Sequence, residues 1–339
     1  HQLEVALETV AGSLGLTAEF FSSPTSIMVG FGYRIEQRVH LLRVEPAEPN
    51  LGKLAQLDSV VRDVVDGRIG AVEGLLRVHA VKSEAPLWPT WLTLLAFVSA
   101  SGAVACFLHV EVGDVAVAAL LGLVTGLITL ATSGSRTSRP VIEPLAAFAV
   151  TTIALTIDVF KGTGTGFATS LAGLIVLLPG LTLTIALTEL STRHLVSGTA
   201  RLSGVIIVFL GLGFGLALGA ELGGFAGVEL KSVLQPDALA WLSRASLPAW
   251  AEWVALLIAP LAFSVLLKAA LRDIGWILLT CASAYLTSRF VGASIGEEFG
   301  AFLGAFVISA GSNLAERLYR RSSIVTAVPG LLILVPGAI

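Results

Sequence analysis

Apolar stretches of membrane length follow one another from residue 90 to the end of the chain, with short polar segments between them. A run of about 20 apolar residues is long enough to cross the hydrocarbon core of a bilayer as a helix. The pattern predicts nine spans, at about residues 90–110, 114–133, 144–160, 167–190, 204–222, 250–271, 273–290, 296–313 and from 324 onward. Because the ninth stops in mid-span and the chain begins with His1 instead of Met, we expect a longer protein with a tenth span after Ile339.

Residues 1–86 follow a different pattern, in which charged and apolar residues are interspersed and no run is long enough to cross a bilayer. Their periodicity predicts a helix over 3–14, one or two strands around a turn at 22–24, a further strand over 33–44, and a helical run over 51–82 that is broken or bent at Gly67, Gly70 and Gly74. Arg and Lys are concentrated in the loops on the same side of the membrane as this segment. We therefore predict a small α+β domain on the cytoplasmic side.

Two segments of the apolar region recur. Residues 174–181 (LIVLLPGL) match 331–338 (LLILVPGA) at an offset of 157, and the tryptophan segment from Leu87 matches the one from Ala249 at an offset of 162. A repeat of five spans has an odd number of crossings, so its second copy enters the membrane from the opposite side. We predict an α-helical polytopic membrane protein with a first transmembrane repeat at 87–222, an extracytoplasmic linker at 223–249 and an incomplete, inverted second repeat at 250–339.

A Pro-Gly pair lies in the middle of each recurring segment, as Pro179-Gly180 and Pro336-Gly337. Proline removes a helical hydrogen bond, and within a membrane such a break is tolerated where protein or a water-filled cavity covers the freed backbone. The N-terminus of a half-helix suits the carboxylate of a ligand and its C-terminus suits an ammonium group. Paired broken helices therefore predict a substrate site, whereas a simple kink in a packed helix is the plainer interpretation.

Polar residues inside the spans give the remaining candidates, because each is costly in lipid unless it faces an interior path. The predicted substrate-binding residues are Pro179, Gly180, Thr182, Thr184, Thr188, Pro336, Gly337, Ser309 and Asn313. Asp158 and Glu189 are the predicted proton-coupling residues, since a desolvated carboxyl group can carry a proton. Alternatively, the threonines bond their own helix backbone and the two carboxylates are solvated at the membrane interface.

Composition supports the membrane assignment and limits the chemistry. The chain of 339 residues is 55% hydrophobic and 13% charged, with a mean hydropathy of +0.87. Its two cysteines predict neither a disulfide framework nor a metal site, and its net charge of -3 gives no reason to expect nucleic acid as a partner. No nucleotide-binding motif or cofactor fingerprint is present, so transport would be coupled to an ion gradient or passive.

Small residues four apart predict close helix packing, at Gly122 and Gly126 and again at Gly211, Gly215 and Gly219. We expect these glycines to pack helices within one chain. A homodimer face is the second interpretation.

The run VLLPGLTLTIALTELSTRHLVSGTARLSG at 176–204 resembles the bacterial threonine/serine exporter family, with its Pro-Gly, Thr-Glu-Leu and Ser-Gly-Thr-Ala-Arg-Leu elements. The segments FFSSPTSIMVGFG and NLGKLAQL resemble the cytoplasmic domain of that family. The resemblance implies a ten-span protein of the bacterial inner membrane that exports L-threonine and L-serine with the proton gradient. It also implies a soluble N-terminal domain of hydrolase-like character.

Three alternatives remain at this point. Relatives built as two polypeptides resemble dicarboxylate exporters, although a dicarboxylate should need more cations than the spans contain. A membrane-anchored hydrolase would use hydroxyl and basic residues of the first domain, drawn from Thr25, Ser26, Arg34, His40 and His79. A channel would show flux that is not coupled to a gradient.

Overall fold

The computed structural model describes residues 2–32, 38–44, 49–132, 139–233, 245–319 and 323–337. This part of the chain is mostly helical, with a small three-stranded sheet near the N-terminus. Its backbone contacts group into two compact units, one of residues 1–87 and 180–205, the other of residues 88–179 and 206–339.

The first unit contains the sheet, in which β1, β2 and β3 are antiparallel neighbours in that order. Its elements are α1 (Gln2–Ser13), β1 (Ala18–Ser22), β2 (Ser26–Phe31), β3 (Arg38–Arg43), α2 (Leu51–Val65), α3 (Ala71–Ser83), α8 (Gly180–Ser191) and the start of α9 (Leu195–Val233). The helices and strands predicted for the N-terminal segment are confirmed. Val60, Val64 and Ile69 form a small core beside Val10.

The predicted break in the helical run occurs between α2 and α3. Gly67 has φ +70°, a conformation that side chains with a Cβ rarely adopt. Gly74 acts differently, because it lies buried inside α3, where a Cβ would come within 2.8 Å of Val64 Cγ2. One glycine therefore ends a helix, and the other allows α3 to pack against α2.

The second unit is a helical bundle. Its elements are α4 (Thr90–Phe107), α5 (Val112–Thr132), α6 (Arg139–Lys161), α7 (Gly166–Leu174), a 3-10 helix (Ile175–Leu177), the rest of α9, α10 (Trp250–Leu266), α11 (Ile274–Ile295), α12 (Glu297–Tyr319) and α13 (Ser323–Gly337). Buried side chains of α5, α6, α7 and α9 meet in an apolar cluster, which includes Val117, Leu121, Ala146, Val150, Leu174 and Leu212.

In the described ranges, six helices are long and apolar enough to cross a membrane, and a broken helix pair makes a seventh candidate. Each predicted span has a matching helix, but Trp250–Leu266 and Ser323–Leu334 are shorter apolar helices. Helix α9 continues past the predicted end at residue 222 as far as Val233. Its 39 residues measure about 58 Å, well above the thickness of a hydrocarbon core.

Helices α4 and α10 are antiparallel neighbours. Trp88, just before α4, donates a hydrogen bond from Nε1 to the carbonyl of Ala269, just after α10, at 3.2 Å. At the other end, His109 follows α4 and its Nε2 lies 2.7 Å from Oε1 of Glu252 in the first turn of α10. The loops at 108–111 and 267–270 therefore lie at opposite ends of this helix pair.

These two loops have the same backbone conformation. His109 and Lys268, 159 positions apart, both have a positive φ, at +53° and +57°. Three backbone hydrogen bonds at the end of α4 recur 159 positions later at the end of α10. At the end of α4, the amides of Leu108, His109 and Val110 donate to the carbonyls of Val104, Cys106 and Ala105, respectively. At the end of α10, the amides of Leu267, Lys268 and Ala269 donate to the carbonyls of Phe263, Val265 and Ser264.

A row of glycines allows α9 to approach α6 closely. A Cβ at Gly219 would lie 2.8 Å from the carbonyl oxygen of Phe148. A Cβ at Gly215, Gly223 or Gly227 would also come closer than 3.0 Å to an atom of α6. Gly213, on another face of α9, has no atom within 4 Å of its Cβ position. The prediction that the α9 glycines pack helices within the chain is confirmed, since their neighbours belong to α6.

We predict opposite effects of alanine at these two kinds of glycine. Gly219→Ala should lower the stability of the protein in detergent by about 1–3 kcal/mol, because the α6 backbone must move away. Gly213→Ala is the matched control and should be neutral or stabilising by up to about 1 kcal/mol, since alanine is the better helix former. Thermal unfolding of both variants measures this, and equal effects would contradict the packing described for α9.

Candidate functional site

The break predicted at the first Pro-Gly pair is present. Helix α7 gives way to the 3-10 helix at Ile175, Leu178 is extended with φ -66° and ψ 126°, and α8 begins at Gly180 after Pro179. The residue before a proline is disfavoured in helical conformation, which explains why the helix stops at Leu178. The two helical segments on either side form one broken pair, as in a broken span or a re-entrant loop.

The three predicted threonines lie along α8 after the break, and all are exposed. The hydroxyl of Thr184 donates to the carbonyl of Gly180 at 2.9 Å, and that of Thr188 donates to the carbonyl of Thr184 at 2.8 Å. Threonine hydroxyls in helices commonly bond one turn back in this way. Because their donors are already used, Thr184 and Thr188 can offer a ligand acceptor lone pairs, which suit an ammonium or a hydroxyl group.

Glu189 is paired with Arg201. Arg201 Nε lies 3.2 Å from both carboxylate oxygens of Glu189, across the turn from α8 to α9. Arg193 in that turn has φ +65°, and a Cβ at Gly198 would come within 2.8 Å of Leu190 Cγ. The Thr-Glu-Leu and Ser-Gly-Thr-Ala-Arg-Leu elements thus meet in one helical hairpin, in which a charge pair and a close glycine contact join α8 to α9.

Asp158 shapes the turn between α6 and α7. Its Oδ1 accepts hydrogen bonds from the Thr163 hydroxyl at 2.7 Å and from the Thr165 amide at 3.1 Å. Gly162 and Gly164 in this turn have φ +72° and +77°, which glycine tolerates at no steric cost. In this conformation Asp158 therefore holds the start of α7 in place.

Beside Asp158 lies a buried charge pair that the sequence analysis did not identify. Lys161 Nζ lies 2.6 Å from Asp114 Oδ1, and the two side chains are 3% and 5% exposed. Thr165 donates to the other oxygen of Asp114 at 2.5 Å, and Glu111 adds a second carboxylate 3.5 Å from Lys161. The cluster joins the starts of α5 and α7 to the end of α6.

A second charged cluster surrounds Glu252 at the start of α10. Its carboxylate accepts from Tyr285 at 3.2 Å, pairs with Arg289 and contacts His109. The ring of Tyr285 also packs against Phe107, with centroids 5.3 Å apart. Glu252 thereby connects the loop after α4 with α10 and α11.

The sequence matches the family ThrE, described as "Putative threonine/serine exporter", over residues 1–223, and the family ThrE_2, described as "Threonine/Serine exporter, ThrE", over residues 252–339. The chain belongs to this family. Together with its six to seven candidate spans, this makes it a multi-pass membrane protein of an exporter family.

Several fungal proteins are similar over the whole chain. They are named pheromone-regulated membrane protein 10, and the identity is 27% in Eremothecium gossypii, 28% in Candida albicans and 25% in Saccharomyces cerevisiae. The chain spans 46%, 31% and 44% of those proteins, which is less than half of their length. No solved structure matches it significantly.

The second half of this ThrE chain has its candidates in α12 and α13. Ser309 is exposed and bonds the carbonyl of Ala305 at 3.0 Å, and Asn313 is exposed as well. The buried polar contact in this region is formed instead by Ser312 and Thr326, whose hydroxyls are 3.0 Å apart. Pro336-Gly337 lies in the last turn of α13, and the residues after it are outside the described ranges, so a second break stays a prediction.

The hydrolase candidates of the N-terminal segment are distributed over separate elements. Ser26 Oγ lies 2.8 Å from Ser23 Oγ in the β1–β2 turn, next to Thr25, and His40 lies on β3 with its ring 6.2 Å from that of Phe31. Across the described parts of residues 2–87, no serine or threonine hydroxyl bonds the imidazole of His40 or His79. Arg34 lies outside the described residues.

We predict that the α8–α9 hairpin depends on its charge pair. Arg201→Met leaves the Glu189 carboxylate, which is 15% exposed, without its cation and should lower stability by about 1–3 kcal/mol. Glu189→Gln/Arg201→Met removes both charges and should recover most of this loss. Thermal unfolding of the single and double variants measures it, and an equal loss in both would show that the pair is not what holds the hairpin.

Proposed function

We propose that the protein is a secondary-active exporter of L-threonine and L-serine, driven by the proton gradient. The observation that carries the proposal is the break at Pro179-Gly180, in the family's own motif, within a chain of the exporter family. Broken helices place free backbone amides and carbonyls where a charged substrate can use them, and they are a recurrent feature of ion-coupled transporters.

We further infer that two inverted five-span repeats build the transporter. The antiparallel pair of α4 and α10 and the matching loops at 108–111 and 267–270 support this. Helices α6 and α12 add to it, because each has 23 residues and their starts are 158 positions apart. The domain limits at residues 86, 222 and 249 follow the predicted repeat.

The charges of the bundle favour a zwitterionic amino acid over a dicarboxylate. A dicarboxylate needs cations for two carboxylates, and three cations of the described helices are already paired with carboxylates: Lys161 with Asp114, Arg201 with Glu189 and Arg289 with Glu252. A zwitterion needs one anion-binding and one cation-binding group, which the ends of a broken helix and the acceptor hydroxyls of α8 can supply. A dicarboxylate exporter of the same fold is the alternative.

Asp158 and Glu189 remain our candidates for proton coupling. The carboxylate of Asp158 accepts hydrogen bonds from Thr163 and Thr165, and that of Glu189 pairs with Arg201. A proton bound to either carboxylate would compete with these partners. Protonation of either carboxyl would weaken these contacts and loosen the α6–α7 turn or the α8–α9 hairpin, which is how a proton can bias a conformational equilibrium.

We propose the inner membrane of a bacterium as the site of action, with the N-terminal domain on the cytoplasmic side and lipid as the surrounding medium. This assignment follows from the motif resemblance and the distribution of basic residues, while the similar proteins compared above come from fungi. A homodimer stays a prediction. The membrane-anchored hydrolase is the weaker alternative, because the N-terminal residues it needs lie on separate elements.

We predict that preloaded proteoliposomes release labelled threonine or serine in a saturable way, faster with an imposed pH gradient. Pro179→Ala/Gly180→Leu should reduce the rate at least about tenfold, since a continuous helix removes the free backbone groups of the break. Gly213→Leu is the matched control, because it adds the same side chain at an open position and should retain transport.

Other results would redirect the proposal. Movement of succinate without threonine or serine would keep the transporter and change the substrate class. Flux that does not saturate and ignores the gradient would indicate a channel. If none of these solutes moves, hydrolase activity of the N-terminal domain becomes the next function to test.

A further inference from the structure

Two aspartates occupy equivalent positions at the starts of α5 and α11. Asp114 and Asp273 are 159 positions apart and are 4% and 3% exposed. The amide of each donates to the carbonyl three residues earlier, Glu111 or Ala270, at 2.9 Å. A carboxylate is rarely buried this deeply in an apolar bundle unless it is paired or has a function.

The two aspartates lie at opposite ends of the bundle. Asp114 follows the loop at 108–111 and Asp273 follows the loop at 267–270, and these loops lie at opposite ends of the antiparallel α4–α10 pair. In a membrane, one aspartate would therefore be near each face.

Asp114 joins three helices at its end of the bundle. The carboxylate belongs to α5, its partner Lys161 belongs to α6, and Thr165 immediately precedes α7. Separating α5 from α6 and α7 would expose a buried ion pair or break it. Glu111, 3.5 Å from Lys161, offers this lysine a second carboxylate when Asp114 moves away.

Asp273 has a cation at the corresponding end. Arg272 Nε lies 3.9 Å from Asp273 Oδ2, and the aspartate is the N-cap residue of α11. Its position relative to α10 and α11 repeats that of Asp114 relative to α4 and α5. Asp273 is thus the positional counterpart of Asp114, although its arginine is the preceding residue and is 60% exposed, whereas Lys161 is buried and belongs to another helix.

We propose that Asp114 and Asp273 are the two gate residues of the transport cycle, one at each face of the membrane. This rests on the proposed function, because it takes the two halves to alternate as inverted repeats. Each aspartate stabilises the conformation that is closed at its own end. Replacing one of them therefore shifts the population toward the conformation open at that end and closed at the other.

The chain offers equivalent reporters for both ends. Cys106, half-buried in the last turn of α4, lies near the first gate, and Val265, half-buried in the last turn of α10, is its counterpart 159 positions later. One reporter protein keeps Cys106 and carries Cys281→Ser. The other carries Val265→Cys with Cys106→Ser and Cys281→Ser. The rate at which a small maleimide alkylates the single thiol of the full chain in detergent is the measurement.

Reciprocal changes are expected. Asp114→Asn should speed alkylation of Cys106 by about tenfold and slow that of the thiol from Val265→Cys, and Asp273→Asn should do the reverse. Glu298→Gln, which removes an exposed carboxylate from the first turn of α12, is the matched control and should change neither. Asp114→Asn/Lys161→Met removes both charges of the buried pair and should act in the same direction as Asp114→Asn.

A purely structural role gives a different result. Faster alkylation at the mutated end with no slowing at the other end means local loosening and overturns the proposal, and so do unchanged rates at both ends. No substrate enters this measurement. Reciprocal alkylation without threonine efflux would keep the gates and reject the substrate, while gradient-driven threonine efflux without reciprocal alkylation would keep the exporter and reject the gates.

Discussion

A charge inside an apolar helix bundle must lie beside an opposite charge or hydrogen-bond partners, and the second unit is organised by this constraint. Removing one member of a buried pair such as Asp114 and Lys161 costs about 3–5 kcal/mol, because the other charge is left uncompensated. The loop at 108–111 meets the constraint twice, since Glu111 approaches Lys161 and His109 contacts Glu252. This one loop is thereby tied to helices of both halves of the chain.

Backbone amides and carbonyls in the apolar bundle also need hydrogen-bond partners, and this need determines where helices break. Pro179 cannot donate a hydrogen bond, and Leu178 is extended, so the helix stops and restarts at Gly180. Where helices stay continuous they pack through small residues, as α9 does against α6 with one glycine on each turn from Gly215 to Gly227. The helix thus breaks where proline lacks an amide donor, and helices pack closely where glycine lacks a side chain.

The hydrophobic pattern was sufficient to place the helices, because runs of membrane length have clear ends at polar segments. The break at Pro179-Gly180 was also predictable, since proline acts locally. The end of α9 was not, because the prediction ended the helix before the Gly-Gly pair at 223–224, whereas the helix continues to Val233. Glycines at 223, 224 and 227 did not end it.

Pairings between distant residues were beyond sequence reasoning. Lys161 and Asp114 are 47 positions apart on different helices, and nothing local marks them as partners. Glu189 was predicted as a proton carrier, but its partner Arg201 became visible once the turn between α8 and α9 was known. The offset of 159 that relates Asp114 to Asp273 is the one sequence signal that would have singled out the first cluster.

The most direct test of the account is simultaneous measurement of threonine exit and proton movement in the same proteoliposomes, with a pH-sensitive dye in the external solution. A proton-coupled exporter predicts that protons move against the direction of threonine at a constant ratio, and that an imposed pH gradient alone drives threonine uphill. Saturable threonine efflux with no accompanying proton movement would contradict the central claim.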